Sequence, residues 1–443
     1  MGMFRRVSSA IVIAATVTLI GACGGDDKSP TTTPNGSAGP STSANTDFGP
    51  AEGVVIFGSP ETTDDALNRA IEAGAPLKFF LAGSSRSDGS FDGVNLPGEA
   101  TVLGTSLIDP ASAEFDAAYE EAYGRSPVGL PGVREAYDAV YLVALAAAAA
   151  NSTDSAAIRD NIHYVANSPG EIFNPLAMRF DEAVAILQGG GDVNYIGASG
   201  QVDLTAKGDM SKGQLEVWRR IGGSIAPQET RDVDLAAEIA ADVPSGELHT
   251  AADAPGGPLR IGVVLPLSGD NADLGQAISD AIDMAVDTIN AEGALFGSDI
   301  EVVRADDAGD ATQAVSAAQG LVDNEGISAI IGPLGEDAAA AVASEVAGPS
   351  SILEIALSTA ATLPTDPAAF LIRTRAANTL QVAVDANLAL ESEVDVVCVL
   401  HGSDPESQAM AEAFKAAFEH KEGGVRALVA VADGADLTAC LGS

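Results

Sequence analysis

Apolar and polar positions follow two rhythms along most of this chain. Leu259-Arg-Ile-Gly-Val-Val-Leu-Pro-Leu267 is an apolar run of strand length. After it, Ile278, Ile282, Ala285, Val286 and Ile289 recur at i, i+4, i+7, i+8 and i+11, which places them on one helical face. Gly293 stands where a left-handed helix stop belongs. The rhythm continues as a strand over 300–303 and a helix carrying Val315, Ala318, Leu321 and Val322. A strand over 327–331, a helix around 338–346 and a strand over 352–357 follow. The front of the chain reads similarly. It has a strand over 53–57, a helix over 64–73, a strand over 77–81 and helices over 114–123 and 134–150. Phe115, Tyr119, Tyr137 and Tyr141 recur on helical faces and are expected in the core. Strand and helix alternating at this spacing predict an α/β fold with mostly parallel sheets and helices on both faces.

The N-terminus departs from this pattern. Arg5 and Arg6 precede an apolar run from Val7 to Gly21. A membrane-spanning helix needs about 20 apolar residues, so the run fits a signal peptide over 1–22 better. Leu19-Ile-Gly-Ala-Cys23 resembles a bacterial lipobox, which makes Cys23 the expected lipidation site. Residues 23–51 are mostly small and polar and read as a flexible tether. A second polar stretch, 226–257, opens with Ala-Pro-Gln-Glu-Thr and closes in a Pro/Gly cluster. It reads as a linker in which 232–242 has the makings of a short helix.

Charge narrows the partners. With 63 acidic and 22 basic residues the net charge is -41. A polyanion of this size repels nucleic acid, so none is expected as a partner. No phosphate loop, nucleophile elbow or zinc-protease motif is present. The four histidines are scattered, which gives no expectation of enzymatic activity, a metal or a cofactor. Export permits a disulfide between Cys398 and Cys440; two separate buried thiols are the alternative.

Several spaced motifs resemble the type I periplasmic binding proteins, which include the branched-chain amino-acid binders of ABC importers. Ile261-Gly-Val-Val-Leu-Pro-Leu-Ser-Gly269, Gly275-Gln276, Asp287-Thr-Ile-Asn-Ala-Glu-Gly293, Ile330-Ile-Gly-Pro333 and Phe370-Leu-Ile-Arg-Thr374 look like that family's first half. Val54-Val-Ile-Phe-Gly58, Phe80-Leu-Ala-Gly-Ser84, Glu135-Ala-Tyr-Asp-Ala-Val-Tyr141 and Tyr195-Ile-Gly-Ala-Ser-Gly200 look like its second half. The order is inverted and neither half is duplicated. The resemblance therefore implies one circularly permuted domain pair, the alternative being a disrupted tandem. It implies two hinged Rossmann-like lobes, with 52–225 as the second half of the binding fold and 258–443 as the first. Lobe one would comprise 258–374 and 112–165. Lobe two would comprise 375–443, 52–111 and 170–225.

The resemblance also implies a ligand held between the lobes. Carried over position by position, the hydroxyls of Ser358 and Thr359 and the loop residue Ser268 belong to lobe one. Ser59, Ser85, Arg86 and Glu406 belong to lobe two. Where family members offer serines, this chain has Leu334-Gly-Glu-Asp337, whose acids would oppose a carboxylate. Ser358 or Thr359 capping a turn, and Glu406 as a solvated helix-start acid, are the rival roles. The implied function is capture of a small polar, amino-acid-like ligand for an ABC permease, by a monomeric exported lipoprotein held to the membrane at Cys23. A sensory or accessory binding lipoprotein, or one that has lost its ligand, is the alternative.

Overall fold

A computed structural model describes residues 48–82, 91, 93–108, 112–222, 224–251, 257–293, 295–431 and 435–442. The leader, Cys23, Ser85 and Arg86 lie outside the described residues.

A seven-stranded sheet forms the centre of lobe two. Its order is Gly424–Ala430, Val396–His401, Gly53–Phe57, Lys78–Leu81, Thr101–Ile108, Lys212–Ile221 and Ser224–Asp234. The first five strands are parallel and the last two antiparallel. Gly53–Phe57, from the front of the chain, pairs with Val396–His401, from its back, with Val55 opposite Val399. Front and back therefore share one sheet. Helices cover both faces, which is why these parallel strands read as unbroken apolar runs. Val55 and Phe57 face the core containing Phe414 and Ala383. Val54 and Ile56 face Leu67, Trp218 and Cys398.

Lobe one holds a five-stranded parallel sheet in the order Glu301–Asp306, Arg260–Leu265, Ala329–Ile331, Leu353–Ala356 and Leu371–Arg373. The helix Val133–Ala150, from the front part, packs with Ala272–Glu292 in the core on one face. Every residue of Val133–Ala150 is buried. A helix enclosed on all sides needs small residues for close approach, which accounts for its alanines. Its buried charges are matched. Arg134 pairs with Asp116 at 2.6 Å. Asp138 accepts from the Tyr195 hydroxyl and from the backbone N–H groups of Ala198 and Ser199.

Two boundaries differ from the sequence reading. Residues 170–225 do not all join lobe two. Glu171–Phe173, the helix Phe180–Gln188 and Val193–Gly197 pack in the lobe-one core, where Phe173, Phe180 and Tyr195 surround Tyr141. Of this segment, Lys212–Ile221 and the start of Ser224–Asp234 enter the lobe-two sheet. The aromatic cluster and the Asp138 hydrogen bonds hold this segment to the 133–150 helix. Residues 226–257 are not simply a linker either. Ser224–Asp234 is an edge strand of the seven-stranded sheet, followed by the short helix Leu235–Ile239. The chain then runs over lobe one, where Asn167 donates to the Pro244 carbonyl and Asn161 exchanges hydrogen bonds with His249. Polar composition suggested a solvated segment; ladder and side-chain hydrogen bonds satisfy it instead.

Cys398 and Cys440 form a disulfide, with Cα atoms 5.4 Å apart, tying Val396–His401 to the helix Thr438–Leu441. Among the described residues, two of the buried acids have carboxylate oxygens without a partner and no cation beside them. On the helix Leu380–Glu391, Asp385 accepts from the Thr105 hydroxyl at 2.9 Å, and its second oxygen has no partner. Burial pushes its carboxyl up to about 8, against the Thr105 hydrogen bond. In the lobe-one sheet neither carboxylate oxygen of Glu354 has a partner, and burial raises it well above the usual carboxylate range.

Candidate functional site

The loop after Leu353–Ala356 forms the lobe-one wall of a cleft, and a buried arginine shapes it. Arg373, at the end of the strand Leu371–Arg373, donates from Nη1 to the carbonyls of Ser358 (3.2 Å) and Ala360 (2.8 Å). Its Nη2 donates to Leu363 at 3.1 Å. Its Nε lies 2.7 Å from Asp209. Burial lowers the Arg373 pKa, and the charge of Asp209 works against that shift. One planar cation thus holds three carbonyls of a loop that makes no sheet, and turns the loop's outer face toward lobe two.

The other wall is the start of the helix Pro405–His420. Asp404 caps it by accepting from Ser407 N, and Glu406 follows in the first turn. Glu406 crosses the cleft. Its Oε2 accepts from the backbone N–H of Ala361 (2.7 Å) and of Thr362 (3.3 Å), and its Oε1 accepts from Asn378 Nδ2 at 2.8 Å. Asn378 belongs to the crossover between Leu371–Arg373 and Leu380–Glu391, and its own N–H donates to the Thr359 carbonyl at 2.7 Å. Glu406 therefore latches one lobe to the other.

Ser358, Thr359 and Glu406, expected as ligand-contacting residues, do meet. They line one cavity of 320 Å³ together with Glu336, Arg375 and Asn378. Ser358 is buried, and its Oγ also accepts from Ala360 N at 3.3 Å, so it braces its own turn. Glu336, in the first turn of Glu336–Val342, has its carboxyl raised by burial and next by the negative charge of Glu406.

Two expected residues lie elsewhere among the described residues. Ser59 is the N-cap of the helix Pro60–Glu72, accepting from Thr62 N at 3.2 Å. It is exposed and lines neither this cavity nor the larger one described next. With Pro60 at the first helical position, the capping role explains it fully. Ser268 is also exposed and lines neither cavity. Its N–H donates to Asp306 at 3.1 Å, and its hydroxyl is the largest influence holding Asp306 below the usual carboxylate range.

A larger cavity of 580 Å³ lies on the hinge side, between the ends of the lobe-two strands 101–108 and 212–221 and the lobe-one residues Pro131, Glu135 and Met210. Arg375 lines both cavities. Sequence reasoning missed it. The available signal was a basic residue two positions beyond the crossover strand in a chain with few basic residues.

Comparisons with known proteins find similarity in both parts of the chain. The sequence profile of the family described as "Periplasmic binding protein" matches residues 258–441, and that described as "Receptor family ligand binding region" matches residues 41–222. The chain is 30% identical over 159 residues to the Leu/Ile/Val-binding protein BraC3 of Rhizobium johnstonii, covering 36% of this chain and 43% of that protein. It is 30% identical over 168 residues to Leu/Ile/Val-binding protein homolog 3 of Brucella melitensis biotype 1, covering 38% and 45%. The chain thus spans less than half the length of these relatives. Among solved structures, a leucine-binding protein of Thermotoga maritima MSB8 is 25% identical, covering 41% of this chain and 49% of that one, with a TM-score of 0.31.

Proposed function

Because the chain belongs to the type I periplasmic binding proteins of the branched-chain amino-acid family, we propose that it captures a small polar, amino-acid-like solute between its lobes and delivers it to an ABC permease, without catalysing a reaction. The observation that carries this reading is the 320 Å³ cavity. It joins Ser358 and Thr359 of one lobe, Glu406 of the other, and groups of both charges, Arg375 and Glu336. A zwitterion finds complementary charge there.

The chain is a circular permutant of one domain pair, a reading supported by the pairing of Gly53–Phe57 with Val396–His401. It is exported, anchored through a lipid on Cys23, and works as a monomer. A second reading has one observation in its favour. The Glu406 carboxylate is already filled by three protein donors, as expected of a family member that has lost its ligand. Native mass spectrometry of protein purified from its host separates the two. Solute capture predicts a co-purified small molecule and a melting temperature that rises with it, by the linkage of ligand binding to folding. No bound molecule, and no rise with any amino acid tried, would sink the proposal.

A further inference from the structure

Arg375 is a cation whose protein partners leave guanidinium donors unused. It follows the strand Leu371–Arg373 in the crossover between the lobes. Of the five N–H donors of its guanidinium, one from Nη1 reaches the Leu357 carbonyl at 3.1 Å. Its Nε is buried without a hydrogen bond, and the nearest carboxylate, that of Glu135, lies 3.9 Å from it. Nη2 makes no hydrogen bond among the described residues. Leu357 and Glu135 thus fix the plane of the guanidinium and leave donors unused. Holding an arginine in place in a part-buried cleft with unused donors is costly unless an anion completes the set.

The surroundings define that anion further. The 320 Å³ and 580 Å³ cavities meet at Pro131, Thr359 and Arg375, which line both. On the smaller side, Glu406 already accepts from three protein donors, whereas Glu336 makes no ion pair among the described residues. A single negative group is therefore open to an ammonium. On the larger side, the lining includes the apolar residues Leu107, Ile108, Met210 and Ala376, with Glu135 beside Arg375. Of its polar lining groups, Lys212 is paired with Asp203 at 2.5 Å and Gln214 with Asp232 at 2.9 Å. That compartment favours an apolar group and has more room than a branched aliphatic side chain fills.

We propose that Arg375 clamps the carboxylate of the captured solute at the junction of the two cavities, with its ammonium toward Glu336 and its side chain in the hinge-side cavity. The solute is then an α-amino acid with a large, aromatic-sized apolar side chain. The inference rests on the solute-capture reading above and adds which group holds the carboxylate and which compartment holds the side chain.

The test is calorimetric titration of the full-length protein, stripped of bound solute by partial unfolding and refolding. The probes are L-tryptophan, L-phenylalanine, L-leucine and the decarboxylated amines tryptamine and phenethylamine. The aromatic amino acids should bind more tightly than L-leucine, and the amines about 10- to 100-fold more weakly than their parent acids, as expected for loss of a charged hydrogen-bond pair. Arg375→Gln should impose a similar loss, Arg375→Lys should recover part of it, and Ala376→Leu should weaken tryptophan more than leucine. Amines that bind as well as the acids, an Arg375→Gln protein that binds like the parent, or preference for L-leucine would each overturn the inference. A co-purified solute without a carboxylate would also overturn it while leaving solute capture intact. Absence of any bound solute would remove both.

Discussion

Asp385 makes the stability of lobe two depend on pH in a way that one substitution isolates. The carboxyl is completely buried, and its pKa is pushed to about 8 from an ordinary value of 3.8. At pH 7 the folded protein holds it neutral, while the unfolded chain leaves it ionised. Folding there must bind a proton. At 1.36 kcal/mol per pH unit over the interval from 3.8 to 7, the cost is about 4 kcal/mol. The sign follows from the raised pKa. Relative stability is greatest below about pH 3.8 and is lost as pH rises toward about 8. Asp385→Asn keeps an oxygen for the Thr105 hydroxyl and removes the titration. Urea unfolding of both proteins at pH 4 and pH 7 supplies a double difference from which packing changes and all other acids cancel. Trp218, the single tryptophan of the sequence, is a suitable probe. It sits opposite Gly104, next to Thr105, in the same sheet. The variant should gain about 4 kcal/mol relative to the parent on going from pH 4 to pH 7. A gain below about 1 kcal/mol, or a loss, would show that the carboxylate is solvated or paired and would refute the reasoning.

Three further outcomes are expected. Glu354→Leu removes two unpartnered buried oxygens and should stabilise lobe one by about 1–3 kcal/mol at pH 7, with the advantage shrinking as pH falls toward about 4.5 and levelling off below it; lower thermal stability at pH 7 would contradict it. Glu406→Ala removes the acceptor of Ala361 N, Thr362 N and Asn378 Nδ2. It should speed amide hydrogen exchange at 361 and 362 and raise the radius of gyration measured by small-angle scattering, and an unchanged exchange rate would show that the latch is not closed in solution. Replacing Cys398 and Cys440 together by alanine opens a loop with a sequence separation of 42. It should cost about 4 kcal/mol on chain-entropy grounds, read as a drop in urea midpoint; an unchanged midpoint would mean that the reduced chain is already constrained.

The sequence by itself determined the local structure and the α/β class, because side-chain periods of 2 and 3.6 are written directly in the order of residues; the two-lobed plan was implied by the family resemblance of its spaced motifs. The strand over 53–57 and the helix over 134–150 were legible to within a residue. The loop residues Ser358 and Thr359 were found through spaced motifs. Tertiary structure decided matters that depend on which distant groups meet. The 171–201 segment mixes apolar runs with glycines in a pattern suited to either lobe, and the cluster of Tyr141, Phe173, Phe180 and Tyr195 assigns it to lobe one. Strand 224–234 is polar because it lies at a sheet edge, so its composition reads as a linker. The site depends on such meetings most of all. Whether Glu406 is free for a ligand is settled by backbone N–H groups 44 and 45 residues away, and the carboxylate that approaches Arg375 to 3.9 Å, Glu135, comes from the other half of the chain. Charge and hydrogen bonding act through distances of a few ångströms in space, and the order of residues does not state those distances.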